Sequence, residues 1–230
     1  MKRFYREVAV EESGGGWRIT LNGRAIKTAV GAPQIVPTRP LAEALAAEWA
    51  AQGDEIDPRG FAMRDLADYA IDVVRSDRGA AIAKLLAFGE TDTLCYRADP
   101  DEPLYRRQQA LWEPLVTAME ARDAIRFERV SGVIHRPQPP ETLAALRARL
   151  EGVDDFTLAA LHTLASLSAS LCVALAALED DVDPAELWSV ANLEEEWQAE
   201  LWGRDAEAEA RTGKRGKEFA GAAEFARLVR

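Results

Sequence analysis

The chain has 230 residues, 48% hydrophobic and 29% charged, enough apolar content to bury a sizeable core in one large domain or two small ones. A formal net charge of −11 argues against general nucleic-acid binding, which needs basic surface to displace counterions, and against docking on an anionic membrane. Cys95 and Cys172 are the only cysteines, widely separated in apolar stretches, and are expected as reduced packing residues.

The opening residues lack the apolar core of a secretory signal, so a cytoplasmic location of bacterial type is expected. Residues 3–10, with Phe4, Val8 and Val10, read as a first strand. Trp17, Ile19 and Leu21 then alternate with Arg18 and Thr20, the pattern of a half-buried strand. Asn22-Gly23 tolerates positive φ at both positions and predicts a two-residue hairpin turn, with Ile26 on the returning strand opposite Ile19. The glycines at 14–16 lack the spacing and following helix of a phosphate-binding loop and read as a turn.

A proline-punctuated loop over residues 33–40 leads into a helix over 41–52, with Leu41, Leu45 and Trp49 as its buried stripe and Thr38 as its cap. Further helices are predicted over 63–75 and 79–88. The pattern divides the chain near residue 85 into a β-rich amino-terminal domain (1–85) and a mainly helical carboxy-terminal domain (86–230), an α+β fold.

Residues 91–98 are ambiguous between strand and helix. Residues 102–121 read as one helix, with Leu104, Leu111, Trp112, Leu115 and Met119 available for burial. An isolated strand over 126–134 and a helix over 143–150 follow. Residues 157–178 are the most hydrophobic stretch and long enough to span a membrane. His162, Thr163, Ser166, Ser168 and Ser170 dilute it and acidic residues flank it, which favours a central buried helix. A weak helix over 217–229 ends the chain.

Residues 187–205 carry the least ordinary pattern. As one helix they place Leu187, Val190, Ala191, Leu193, Trp197, Leu201 and Trp202 on a broad apolar face, with Glu194 and Gln198 near its middle. Asn192, Glu196 and Glu200 point to the polar side. A carboxylate among tryptophans and leucines costs free energy unless something pairs with it. Glu194 is therefore a buried structural acid, a determinant on a partly open face that meets another macromolecule, or a catalytic base. Arg97, Arg106 and Arg107 are its candidate partners.

Neither His135 nor His162 sits in a metal-ligand spacing, and no Walker loop, GxSxG elbow, HExxH or dinucleotide fingerprint occurs. No cofactor, metal or catalytic residue is expected. The competing enzymatic reading is a small hydrolase or lyase using Glu194 as general base, favoured by a closed pocket where an open groove favours partner binding.

Several segments carry a resemblance. They are residues 2–5 (KRFY), 17–29 (WRITLNGRAIKTA), 41–58 (LAEALAAEWAAQGDEIDP), 91–98 (TDTLCYRA), 107–115 (RQQALWEPL), 168–178 (SASLCVALAAL) and, most specifically, 193–203 (LEEEWQAELWG). In this order the chain resembles the assembly chaperones of the F-type ATP synthase catalytic head that attend the alpha subunit, in their alphaproteobacterial form. The resemblance implies a β-rich domain joined to a helical one. It implies a non-enzymatic protein that binds the free alpha subunit until beta replaces it, with a functionally important glutamate at Glu194. Gln198, Trp197 and Trp202 are then adjacent support, as contacts or as packing beneath. The chain departs from the family at residues 61–65, FAMRD, and at 204–207, RDAE, so roles tied to those segments do not transfer.

Overall fold

The computed structural model describes residues 1–132 and 134–230, and its strands followed by helices form an α+β fold. Strand β1 (Val8–Ser13) pairs antiparallel with β2 (Gly16–Leu21), and β2 with the short β3 (Arg24–Ala25). Asn22 (φ 51°) and Gly23 (φ 74°) both take left-handed conformations, which keeps the strand twist continuous through the turn. The Ile26 amide donates to the Ile19 carbonyl at 3.1 Å, so the two isoleucines face each other as expected. Strand β1 begins later than residue 3, because the Arg6 and Glu7 amides donate instead to Asn22 Oδ1, each at 3.0 Å.

Helix α1 (Arg39–Ala50) is capped by Thr38, whose hydroxyl accepts from the Leu41 amide at 3.3 Å. Helix α2 (Ala62–Tyr69) runs on into a π-helical turn, Ala70–Val74, and α3 (Arg78–Glu90) follows. Residue 85 thus lies inside a helix. Then come α4 (Pro103–Leu111), α5 (Glu113–Asp123), α6 (Pro140–Glu151), α7 (Asp155–Ser168), α8 (Leu171–Ala176), α9 (Pro184–Ala191), α10 (Leu193–Trp202) and α11 (Ala206–Leu228). Helix α7 is the hub, packed on α2, the π turn, α3, α8 and α11, with Leu158, Leu161 and Leu164 buried. Each such leucine contributes about 1.5–3 kcal/mol by leaving water. Among the described residues no helix is long and apolar enough to cross a membrane.

Three stretches that read as single helices are broken, each by an identifiable residue. Between α4 and α5, Pro114 has no amide to give the Ala110 carbonyl and sits instead in the first turn of a new helix. Between α7 and α8, Ala169 turns left-handed (φ 51°) and Ser170 Oγ caps α8 by accepting from the Val173 amide at 3.0 Å. Between α9 and α10, Asn192 Nδ2 donates to the Trp188 carbonyl at 2.7 Å, competing with the helical ladder. Asn192 is consequently buried and not on the polar side.

The ambiguous residues 91–98 become a 3-10 turn, Thr93–Cys95, and β4 (Tyr96–Arg97). The strand read over 126–134 contracts to β5 (Val130–Ser131) and is not isolated, since it pairs in parallel with β4; Val133 lies outside the described residues. Cys95 and Cys172 are free and buried, and burial pushes both thiols upward. The closing helix is much longer than residues 217–229 because α11 starts at Ala206, capped by Asp205.

Candidate functional site

Strand β4 with Gly132 just after β5, the start of α4, α10 and the first half of α11 enclose an open groove of about 1100 Å³. The break at Asn192 shapes it. It separates α10 from α9, and Leu193 is the one residue of α10 that is buried. Glu194, Gln198 and Trp202 line the groove together. Trp202 is 82% exposed and Leu201 56%, so the distal end of α10 presents apolar surface to solvent. Trp197 is not part of the lining. It lies under Arg107, whose Cζ is 4.6 Å from the indole centroid.

Glu194 is held by an amide and not by a guanidinium. Its Oε1 accepts from Gln108 Nε2 at 2.8 Å. Gln108 is fully buried, and its own Oε1 accepts from the Ala98 amide at 2.8 Å. One side chain therefore ties α10 to α4 and to the end of β4. Partial burial lifts the Glu194 carboxyl above the ordinary glutamate range, while the Gln108 hydrogen bond pulls the other way.

The three arginines expected beside Glu194 are occupied or turned elsewhere. Arg97 is buried and donates to the Leu94 carbonyl at 2.8 Å, the Gln108 carbonyl at 3.0 Å and Glu113 at 3.1 Å. A buried guanidinium needs such partners more than a half-exposed carboxylate does. Arg107 pairs with Glu200 at 2.8 Å, and Arg106 is exposed. Behind the wall, Arg129 bridges Glu113 (2.7 Å) and Glu120, fixing β5 against α5. Burial alone would raise Glu120, but the hydrogen bonds from Arg129 and the Phe127 amide, with the charges of Arg129 and Arg126, together outweigh it and hold the carboxyl below its usual range.

Gln108 was the functional residue hardest to see, although its signal existed. Leu104, Gln108 and Trp112 stand one helical turn apart, so Gln108 is a polar residue in an apolar stripe, the same anomaly that marks Glu194. Asp99, Glu102 and Asp205, which also line the groove, carry no such mark.

Chemically, the groove is open and its carboxylate is partnered by an amide. His162 lies elsewhere, tilted against Tyr69 with ring centroids 5.4 Å apart, and His135 Nδ1 meets the Tyr96 hydroxyl at 3.0 Å. Among the described residues no group of histidine, cysteine and acidic side chains could hold a metal. Exposed apolar ground around a held carboxylate suits a protein surface better than a closed catalytic pocket.

Residues 2–120 match the family described as ATP12 chaperone protein. The mitochondrial protein atp12 of Schizosaccharomyces pombe is 25% identical over 214 residues, which cover 88% of this chain and 74% of that protein. Among solved structures, Atp12 from Paracoccus denitrificans is similar with a TM-score of 0.94 at 37% identity, covering 100% of this chain and 98% of that one. The Atu1473 protein of Agrobacterium tumefaciens gives a TM-score of 0.95 at 37% identity, covering 100% and 86%.

Proposed function

The chain belongs to the ATP12 chaperone family, which serves ATP synthase assembly, and from that membership we propose that it binds the unassembled alpha subunit of the catalytic head. It keeps that subunit from aggregating until a beta subunit takes its place. The mechanism is competitive masking. A free alpha subunit exposes apolar surface destined for beta, and covering that surface stabilises the soluble form in proportion to chaperone concentration over affinity.

The observation that carries this reading is α10, which leaves both Trp202 and Glu194 exposed on an open groove. Glu194 is the polar determinant of the contact. Gln198 and Trp202 contact the client beside it, and Trp197 supports them from behind. The reading requires no cofactor, nucleic acid, membrane insertion or small-molecule substrate, and it places the protein in the bacterial cytoplasm, the counterpart of the mitochondrial matrix.

Light scattering of purified alpha subunit diluted from denaturant tests the proposal. Suppressed aggregation at stoichiometric chaperone, followed by release when beta is added, is the expected result. Equal scattering with and without the chaperone overturns it.

A further inference from the structure

The charges around the groove are unevenly satisfied. Each cation in its lining has a carboxylate partner: Arg97 with Glu113 (3.1 Å), Arg211 with Glu207 (3.0 Å) and Arg215 with Glu195 (4.0 Å). The other carboxylates of the lining do not have a cation. Asp99, Glu102, Glu194 and Asp205 have no ion pair among the described residues, and Asp205 only caps α11 by accepting from the Glu207 amide at 3.1 Å. The same lining includes Leu104, Ala199, Ala208 and the exposed Trp202.

A groove that combines apolar side chains with four carboxylates lacking an ion pair selects its occupant by sign. A segment bearing lysine or arginine gains ion pairs as its apolar side chains cover Trp202 and Leu104. An acidic segment meets like charges and is disfavoured. Glu194 is held in place by Gln108 before any partner arrives, which lowers the ordering cost of binding.

We propose that the groove takes a lysine- or arginine-bearing apolar segment of the client. This rests on the reading of the groove as the client site, and it names the chemistry of the segment that enters.

The test uses the full chain and two short synthetic peptides, one alternating lysine and leucine around a tryptophan, the other its glutamate twin. Titration at low salt is expected to show the lysine peptide binding roughly ten-fold or more tightly than the twin. Glu194→Gln, and separately Asp99→Asn with Glu102→Gln, each remove most of that preference. Glu141→Gln with Glu151→Gln, exposed positions on α6 outside the groove, leaves it intact. Equal binding of the twins overturns the proposal, as does a loss in the α6 variant as large as that in the groove variants. Failure of the alpha subunit to bind, with the peptide preference present, would instead sink the client assignment and leave the groove's chemistry standing.

Discussion

The amide of Gln108 holds the carboxylate of Glu194 at 2.8 Å, joining α4 to α10 across 86 positions of sequence. The same amide accepts the Ala98 N–H, so Gln108→Leu removes two hydrogen bonds and strands a backbone donor. The expected loss is about 1–3 kcal/mol in denaturant unfolding. Without its hydrogen-bond donor the Glu194 carboxyl rises further, a change carboxyl NMR titration reads directly.

Trp202 gives the opposite separation of stability from function. At 82% exposed it contributes little to the core, so Trp202→Ala changes unfolding by no more than about 0.5 kcal/mol. Retention of the alpha subunit weakens by about 2 kcal/mol, as an exposed aromatic anchor requires. Paired denaturation and pull-down measurements on this variant check both halves.

Arg97 supports the groove wall from inside. Arg97→Met leaves the Leu94 carbonyl without its side-chain donor, the Gln108 carbonyl with the Trp112 amide alone and Glu113 with Arg129 as its remaining cation, at an expected cost of about 2–4 kcal/mol. Arg97→Lys does not rescue it, since one ammonium cannot reproduce three donors held in a planar fork. Thermal unfolding of both variants checks this.

What the sequence made legible was local. The Asn22-Gly23 turn, the Thr38 cap and the opposition of Ile19 to Ile26 depend on neighbours in the chain, and all three are present. Glu194 stood out because a polar residue inside an apolar pattern is visible without tertiary knowledge. Its partner was not, because Gln108 reaches it only once α4 and α10 pack, and charge bookkeeping pointed to arginine. The helix breaks at Pro114, Ser170 and Asn192 were masked by apolar periodicity that continued across them. The parallel pairing of β4 with β5 joins two residues from each of two distant segments, too short to leave a pattern.

Acidity separates binding from stability at Glu194. Partial burial raises its carboxyl, so the group favours the folded state below the ordinary glutamate pKa, and that contribution is lost as pH rises through the folded value. Binding of a lysine-bearing segment needs the charged form and weakens as pH falls through the same value. Affinity for the lysine peptide therefore begins to drop at a higher pH than an ordinary glutamate would give. Glu194→Gln removes this part of the profile, and titrations of both proteins across mildly acidic pH check it.

The most direct test of the central claim is co-expression with the matching alpha subunit in the absence of beta, reading soluble alpha and its co-purification for wild type, Glu194→Lys and Glu196→Lys. Glu196 follows Glu195 on α10 but lies outside the groove lining, and its carboxylate accepts from Ser189 Oγ at 3.0 Å. The account predicts soluble, co-purifying alpha with wild type and Glu196→Lys, and aggregated alpha with a folded Glu194→Lys. Alpha that aggregates in all three, or that is held equally by both variants, would contradict it.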